Sequence, residues 1–488
     1  MKDREPDLEE IARRAMIERG LYPDFPPAVL AETRKMEEVH RFGGDGIDGV
    51  RDLRGLPWFS IDNDDTRDLD QLTVADAGSP DILVSVAIAD VDALVGQESD
   101  TDRHAGHNTV SVYTPVRIFP MLPERLSTGL TSLHEGEDRL AVVVEMAVGE
   151  DGAVGRVDIF RAAVRNKARL TYNAVAAWLE GHGPLPKEAK GLDGQLRLQD
   201  EAAVRLRQRR HERGALQFET LRSKPVVEGG RVRGIEEDRK NRAKELIEDF
   251  MLAANSATAS FLEQRGYPSI RRLVRSPARW PRIVDIAARL GERLPAEPHP
   301  EPLARFLERR RAADPEGFPE LSLSVLKLLG SGEYTVDLPG QPAPGHFGLA
   351  TDDYTHATAP NRRYPDLVTQ RLVKAALAGR PAPYEASALE ELARWCTRKE
   401  DDARRVERQV TKSAAALLLA DRIGESFDAI VTGASEKGTW VRTCRYPVEG
   451  RLTRGHPRLG ENDLDVGDRV RVRLVSVDVE RGFIDFDC

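Results

Sequence analysis

The chain has 488 residues, of which 40% are hydrophobic and 31% charged. At roughly 150 residues per domain that suggests about three structural units with enough apolar material for a sizeable core, and it excludes wholesale disorder. The formal net charge of −9 excludes a polybasic coat that binds nucleic acid over the whole surface, but not a basic channel inside an acidic shell.

Cys396, Cys444 and Cys488 lie far apart and form no C-x-x-C pair. This argues against a disulfide framework, a zinc ribbon or a dithiol redox site, and it fits a reducing cytosol. The charged start MKDREPDLEEIARR lacks the apolar core of a signal peptide. Runs such as LVKAALAG and AAALLLA are too short to span a bilayer. The expectation is a cytoplasmic protein with no membrane partner.

In chain order, Leu8, Ile11, Ala12, Ala15 and Met16 recur at helical spacing, and a second helical pattern runs from Val29 to Val39. Residues 1–45 therefore read as a small helical unit, either helix-turn-helix-like or a cap packed on the main domain. From Leu53 the pattern changes to β-branched runs: WFSID, QLTVAD, ILVSVAIAD, TVSVYTPV and LAVVVEMAV. Helical patterns dominate after Tyr172, notably at 195–212, 241–265, 364–378 and 387–422. Gly- and Pro-rich loops at 181–194, 295–302 and 338–346 punctuate one large α+β domain over 46–424. Strands return in 425–488, where the alternation in VRVRLVSV and several Gly turns suit a small OB-type β-barrel.

The most informative stretch is Asp62-Asn63-Asp64-Asp65-Thr66-Arg67-Asp68-Leu69-Asp70-Gln71, with five aspartates in nine residues directly after a strand. Such carboxylates repel one another unless water or a cation intervenes, and converging oxygen ligands suit Mg²⁺. A solvated acidic turn is the bland alternative. A calcium EF-hand fails, because counting from Asp62 its required Gly and Glu positions hold Arg67 and Thr73. Further along, Glu248-Asp249 lies in a helix with an apolar stripe. Arg362 and Arg363 precede another helix, and guanidinium groups beside a helix N-terminus suit a phosphate.

These segments, in this order, resemble the RNB catalytic domain of the ribonuclease II / ribonuclease R family. The residues that carry the resemblance are DLRGLPWFSIDNDDTRDLDQL (52–72), ILVSVAIADVDALV (82–95), VSVYTPVRIFPMLPERLSTGLTSL (110–133), ALQF (215–218), LIEDFMLAAN (246–255) and HFGLATDDYTHATAPNRRYPDLVTQRLVKAAL (346–377). The resemblance covers roughly residues 50–488 and implies an S1-type OB fold at the end. It implies processive 3′-to-5′ hydrolysis of single-stranded RNA to nucleoside 5′-monophosphates with Mg²⁺, by a monomer. By the same resemblance Asp62, Asp68 and Asp70 hold metal and water, with Gln71 a further ligand, and Arg362 contacts the scissile phosphate beside Arg363. Tyr113 and Phe218 match the pair that stacks terminal bases. Tyr172 and Glu248 match positions that fix the terminal nucleotide, and Glu407 matches an acid near the nucleic acid. Aromatic stacking suits an enzyme without sequence preference, since every base has a π-face.

The chain also departs from the family. Gln71 replaces the usual fourth aspartate, which is the footing for an alternative: an RNA-binding protein with a degenerate catalytic domain. Asn108 stands where relatives often have Arg. About 50 residues precede the RNB segment, too few for the two cold-shock domains usual in the family. In the OB-like tail Trp440 is the obvious stacking candidate, with Arg442, Arg445, Arg451, Arg454 and Arg458 nearby. Arg205, Arg207, Arg209, Arg210 and Arg213 cluster before Phe218 and suggest a basic path to an acidic, metal-bearing end.

Overall fold

A computed structural model describes residues 7–36, 49–78, 80–219, 222–228, 231–238, 240–341, 345–435, 438–454, 464 and 468–488. Arg458 and residues 37–45 of the expected N-terminal unit lie outside them. The chain opens with α1 (Leu8–Glu18) and α2 (Pro27–Lys35). Asp7 caps α1, its carboxylate accepting the Glu9 N–H at 2.9 Å.

Next come β1 (Val50–Asp52), β2 (Phe59–Asp62), β3 (Gln71–Ala77), β4 (Ile82–Ala89), α3 (Asp100–Asn108), and the two-residue strands β5 (Val112–Tyr113) and β6 (Ile118–Phe119). After these, β7 (Asp138–Val148), β8 (Val154–Arg165) and β9 (Ala168–Thr171) follow. Seven of the strands form one sheet in the order β1-β8-β7-β4-β3-β2-β9. It is antiparallel at its centre and parallel where β1 meets β8 and β2 meets β9. The central strand β4 reads ILVSVAIA, almost continuously apolar, because protein covers both faces of the sheet. Strand β8 was not evident in the sequence. Its apolar residues are buried consecutively rather than alternately, and arginines interrupt them.

The covering layer contains α4 (Tyr172–Leu179), α5 (Asp193–Glu212) and α6 (Arg242–Gln264), while the ribbon β10 (Arg222–Glu228) and β11 (Arg231–Asp238) packs instead against the later helix at 386–419. Helix α6 buries Leu246, Phe250, Ala254 and Ala257, one stripe at helical spacing. Helix α5 is keyed to the sheet by polar contacts: Thr73 donates to Gln199 Oε1 at 2.8 Å, and the Ala75 N–H donates to Gln195 Oε1 at 3.0 Å. Strand β12 (Ser269–Leu273) precedes a helical trio, α7 (Trp280–Arg289), α8 (Pro300–Ala313) and α9 (Phe318–Leu329). The trio has its own core of Trp280, Ile283, Leu303, Phe306, Phe318 and Val325.

After β13 (Glu333–Asp337), which pairs with β12, come α10 (Tyr364–Leu377) and the long α11 (Ala386–Leu419). The polar groups of the buried α10 are satisfied at the end of β4. Gln370 donates to the Ala89 carbonyl at 2.8 Å, and Lys374 pairs with Asp90 at 2.8 Å. Arg371 pairs with Asp92 at 2.9 Å and Asp102 at 2.8 Å. Burial of so many charges is sustainable only with complete pairing, and here the pairs tie the middle of α10 to the end of β4.

Strands β14 (Ser426–Ser435), β15 (Gly438–Thr443), β16 (Glu449–Arg454), β17 (Arg469–Asp478) and β18 (Phe483–Asp487) close a barrel in the order β14-β15-β16-β18-β17. Its core includes Phe427, Val431, Val441, Val472, Leu474 and Phe486. Arg469, Arg471 and Arg473 alternate outward on β17. The overall class is α+β with a closed five-stranded OB-type barrel. No helix among the described residues is long and apolar enough to cross a membrane.

Of the two arrangements open for the N-terminal helices, the packed cap is the one observed. Ala12, Ala15 and Met16 of α1 bury against Ala403, Val406 and Val410 of α11 and against Val112 and Phe119. Asn108 fastens the following turn, accepting the Tyr22 N–H and donating to its carbonyl, each at 2.9 Å. Beneath this cap His104 packs on Phe25 with ring centroids 4.6 Å apart, and neither imidazole nitrogen has a hydrogen-bond partner among the described residues. Burial pushes its pKa down to about 4. The unfolded chain therefore binds a proton that the fold refuses between pH 6.5 and about 4, so His104 costs stability as pH falls through that window. His104→Phe should lose about 2 kcal/mol less than the parent in urea denaturation between pH 7 and pH 5. Identical pH dependence in the two proteins would show that His104 is not buried neutral.

Candidate active site

The loop between β2 and β3 sorts its five aspartates. Asp64 and Asp65 are exposed, whereas Asp62, Asp68 and Asp70 turn inward to differing depths. Main-chain ties hold the loop: Arg169 on β9 donates to the carbonyls of Asp64 at 2.9 Å and Thr66 at 2.7 Å. Ser132 Oγ accepts the Leu69 N–H at 3.0 Å and donates to the Arg67 carbonyl at 2.9 Å.

Asp62 ends β2, and its Oδ1 accepts from the Asn63 N–H at 2.8 Å and the Thr66 hydroxyl at 2.9 Å. Burial raises its pKa, against the pull of those two hydrogen bonds and of Arg362. Asp70 is only 3% exposed. Its Oδ2 accepts from Arg362 Nε at 2.8 Å, while Oδ1 is buried without a hydrogen-bond partner among the described residues. Burial pushes its pKa up to about 7, with Arg362 opposing and Asp68 adding to the rise. Asp68 Oδ2 accepts the Tyr113 hydroxyl at 3.2 Å. Gln71 begins β3 opposite Ile88 and is buried, and its amide makes no hydrogen bond to the described residues.

Arg362 reaches this loop because residues 109–111 and 362–364 run antiparallel. The Ser111 N–H donates to the Arg362 carbonyl at 2.9 Å, and the Tyr364 N–H donates to the Thr109 carbonyl at 2.8 Å. The same pairing brings Tyr113 to the cluster. Burial opposes the Arg362 charge, but Asp70, with Tyr113 and Asp366, holds the guanidinium above its ordinary pKa. Only its Nε is committed to Asp70, and the side chain is 40% exposed. Arg363 is differently placed. Both Asp366 oxygens accept from it, at 2.9 and 2.6 Å, and Asp366 also accepts the Ala359 N–H at 2.9 Å.

Tyr113 is 39% exposed, and its N–H donates to Glu407 of α11 at 2.9 Å. Burial raises the phenol pKa, so its hydroxyl stays a donor toward Asp68. Tyr172 begins α4 directly after Thr171, which lies opposite Asp62 in the parallel β2–β9 pair. Burial, then the Asp62 charge, raises its pKa too. The structure thus brings together Asp62, Asp68, Asp70, Arg362, Tyr113 and Tyr172, with Glu407 behind Tyr113.

Phe218 and Glu248 occupy a separate space. They line a cleft of about 980 Å³ together with Arg207, Arg210, Lys240 and Lys244, and none of the Asp70–Arg362 group is in its lining. Phe218 also packs on the core of the helical trio, and Glu248 accepts from Lys240 at 2.6 Å. Trp440 is apart from both, half-buried on the barrel beside Gly433. Most of the expected basic path is engaged in ion pairs. Arg207 and Arg210 pair with the buried Asp249, Arg205 with Glu201 at 2.7 Å, and Arg209 with Glu212 at 3.7 Å. In the barrel Arg442 pairs with Glu320 of α9, and Arg445 lies 3.7 Å from Glu425. Asp366 went unnoticed in the sequence, although its position three residues after Arg363 at a helix start was the available signal.

As placed, no three Asp, Glu, His or Cys side chains among the described residues stand close enough to hold a metal ion. The unpartnered Asp70 Oδ1, in a buried group of repelling carboxylates, is nevertheless an oxygen that suits a hard cation.

Residues 50–379 match the RNB domain, and residues 425–487 match the RNase II-type exonuclease C-terminal S1 domain. The chain belongs to the RNB family of RNase II-type exonucleases. It is 32% identical to ribonuclease R of Aquifex aeolicus, over 96% of this chain and 68% of the relative. With ribonuclease R of Escherichia coli strain K12 it shares 31% identity, over 90% of this chain and 57% of the relative, so it spans little more than half of that protein. Its fold superposes on the apo form of Mycoplasma genitalium RNase R with a TM-score of 0.89 at 22% identity, covering 99% of this chain and 78% of the other. That enzyme is also known in complexes with ribose-methylated single-stranded RNA and with double-stranded RNA.

The Asp366 brace carries a direct expectation. Asp366→Asn removes the carboxylate from a largely buried guanidinium and should destabilise the fold by about 3 kcal/mol in urea denaturation. An unchanged midpoint would mean that Asp366 does not hold Arg363.

Proposed function

We propose that this protein is a processive 3′-to-5′ exoribonuclease that hydrolyses single-stranded RNA to nucleoside 5′-monophosphates. The observation that carries the reading is the pairing of Asp70 with Arg362 inside an aspartate loop, in a chain of the RNB family. Asp70 keeps one oxygen unpartnered, and Arg362 keeps both Nη groups uncommitted among the described residues. An acidic group and a partly exposed guanidinium side by side suit the two demands of phosphodiester hydrolysis, making a water nucleophilic and holding the phosphate.

In the reaction, the water oxygen bonds to phosphorus and the bond to the 3′ oxygen of the preceding nucleotide breaks. That oxygen takes a proton, and a nucleoside 5′-monophosphate departs. The Arg362 fork would meet two phosphate oxygens and offset their charge. The exposed Tyr113 ring would stack a base near the 3′ end, with Tyr172 beside it, and Phe218 and Glu248 would contact RNA in their own cleft. Arg363 supports the loop carrying Arg362, and Glu407 supports Tyr113. Trp440 offers a stacking face on the barrel. Mg²⁺ held by Asp62, Asp68, Asp70 and Gln71 would supply a water of lowered pKa and further charge neutralisation. We divide the chain into a helical cap at 1–45, a catalytic domain at 46–424 and an S1-type barrel at 425–488. We place it as a monomer in the cytoplasm, where its three free thiols would stay reduced.

Gln71 favours a second reading, RNA binding without cleavage, because a glutamine brings no charge to the cation. Oligo(A) labelled at its 5′ end and incubated with Mg²⁺ should shorten stepwise from its 3′ end, and EDTA should stop this. No metal-dependent shortening would sink the enzyme reading and leave the binding one. Asp70→Asn keeps the shape of the site and removes its charge. It should lower the turnover rate at least about 100-fold while RNA affinity changes less than about threefold. Parallel losses of affinity and turnover would instead make Asp70 structural.

A further inference from the structure

Next to the Phe218 cleft, across a wall formed by Arg210, Asp249, Leu252 and Leu349, lies a second cavity of about 320 Å³. It is bounded by the β7–β8 turn, the end of α5, the second half of α6 and residues 349–354. The acid cluster is at the opposite end of the sheet. Gln71 faces Ile88, Ile88 faces Val142, and β7 continues to Val148 before the turn. Those six residues of strand place the cavity about 20 Å from the level of Asp70.

The lining combines two chemistries. On one side stand Arg209, Arg210 and Arg213, against the single carboxylate of Asp249. In the structure Arg209 pairs with Glu212 and Arg210 with Asp249. On the other side Val157, Leu206, Leu252, Ala253 and Ala257 present an apolar floor, with Ser256 and Gln264 at its edge.

Two features make the walls rigid. The turn glycine Gly152 has φ +72°, and a Cβ there would meet the Arg205 carbonyl oxygen at 2.0 Å, so the turn sits directly on α5. Ala350 has φ +49°, a left-handed conformation unusual for a non-glycine residue and retained here in the cavity wall.

We infer that this cavity binds a small organic phosphate with a flat apolar body, a nucleoside monophosphate being the class that fits. Three guanidinium groups against one carboxylate in the lining favour a phosphate monoester, which carries about −1.5 to −2 at neutral pH. The volume is at the lower end of the range for small-molecule sites, roughly 300–1,000 Å³. The phosphate meets Arg209, Arg210 and Arg213, and the base lies on the Leu206–Ala257 floor. The choice of a nucleotide rests on the ribonuclease reading, whose product is of this class, while the cavity and its charge do not.

The test is isothermal titration calorimetry of the full chain with AMP, adenosine and inorganic phosphate, in EDTA so that no metal recruits ligand to the acid cluster. AMP should bind, with adenosine and inorganic phosphate each at least about tenfold weaker. Ser256→Trp, which fills the cavity, should abolish AMP binding and leave RNA shortening with Mg²⁺ unchanged. The exposed Arg213→Ala, which leaves the core intact, should weaken AMP about tenfold without changing adenosine. Absence of AMP binding in the parent, undiminished AMP binding in both variants, or equal affinity for inorganic phosphate and AMP would overturn the proposal. Asp70→Asn should keep full AMP binding, and the two readings fail separately: a parent chain that binds AMP but does not shorten RNA with Mg²⁺ rejects only the enzyme.

Discussion

The ion pair between Arg362 and Asp70 joins parts of the chain 292 residues apart. Nearly all of the fold bears on keeping those two groups at 2.8 Å. Asp70 is positioned by the start of β3 and by the Ala89 N–H on its carbonyl. Arg362 is positioned by α10, whose buried Gln370, Arg371 and Lys374 are fastened to the end of β4 and the turn after it. Sheet and helix are thereby locked at one place by polar contacts, which are directional where apolar packing is not. Desolvation pushes the Asp70 proton affinity up and the guanidinium pulls it down, so the two effects oppose each other at one carboxyl.

The distribution of arginines is best understood by what each one already touches. Arg362 and Arg363 are neighbours with the same side chain, but Asp366 occupies the fork of Arg363 and leaves that of Arg362 open. The same distinction applies along α5, where Arg207 and Arg210 neutralise Asp249, and in the barrel, where Arg442 serves Glu320. A net charge of −9 is compatible with such a molecule because many cations hold the structure together instead of coating it.

Helix α11 organises the periphery. Its apolar face receives α1, its Glu407 holds the backbone of Tyr113, and its last turns pack on the barrel. The cap also reaches the barrel through Arg14 and Glu480. The N-terminal helices therefore buttress the strand pair that carries Tyr113, which gives Asn108 a structural part as the fastener of that cap.

Much of this was legible before any coordinates. The aspartate loop stood out because a carboxylate cluster after a strand has few stable explanations, and α5, α6, α10 and α11 followed from apolar residues at helical spacing. The barrel followed from period-two alternation in VRVRLVSV. Strand β8 was hidden because burial on consecutive residues erases the periodic signal. The sequence alone therefore determined which residue types gather and which elements carry them, since local periodicity and turn chemistry are written residue by residue. Only the tertiary structure decided which of two adjacent arginines stays open. It also decided that Phe218 and Glu248 line a cleft separate from the acid cluster and that the N-terminal helices form a cap. Those outcomes depend on partners hundreds of residues away and on desolvation, neither of which is a property of a local stretch of chain.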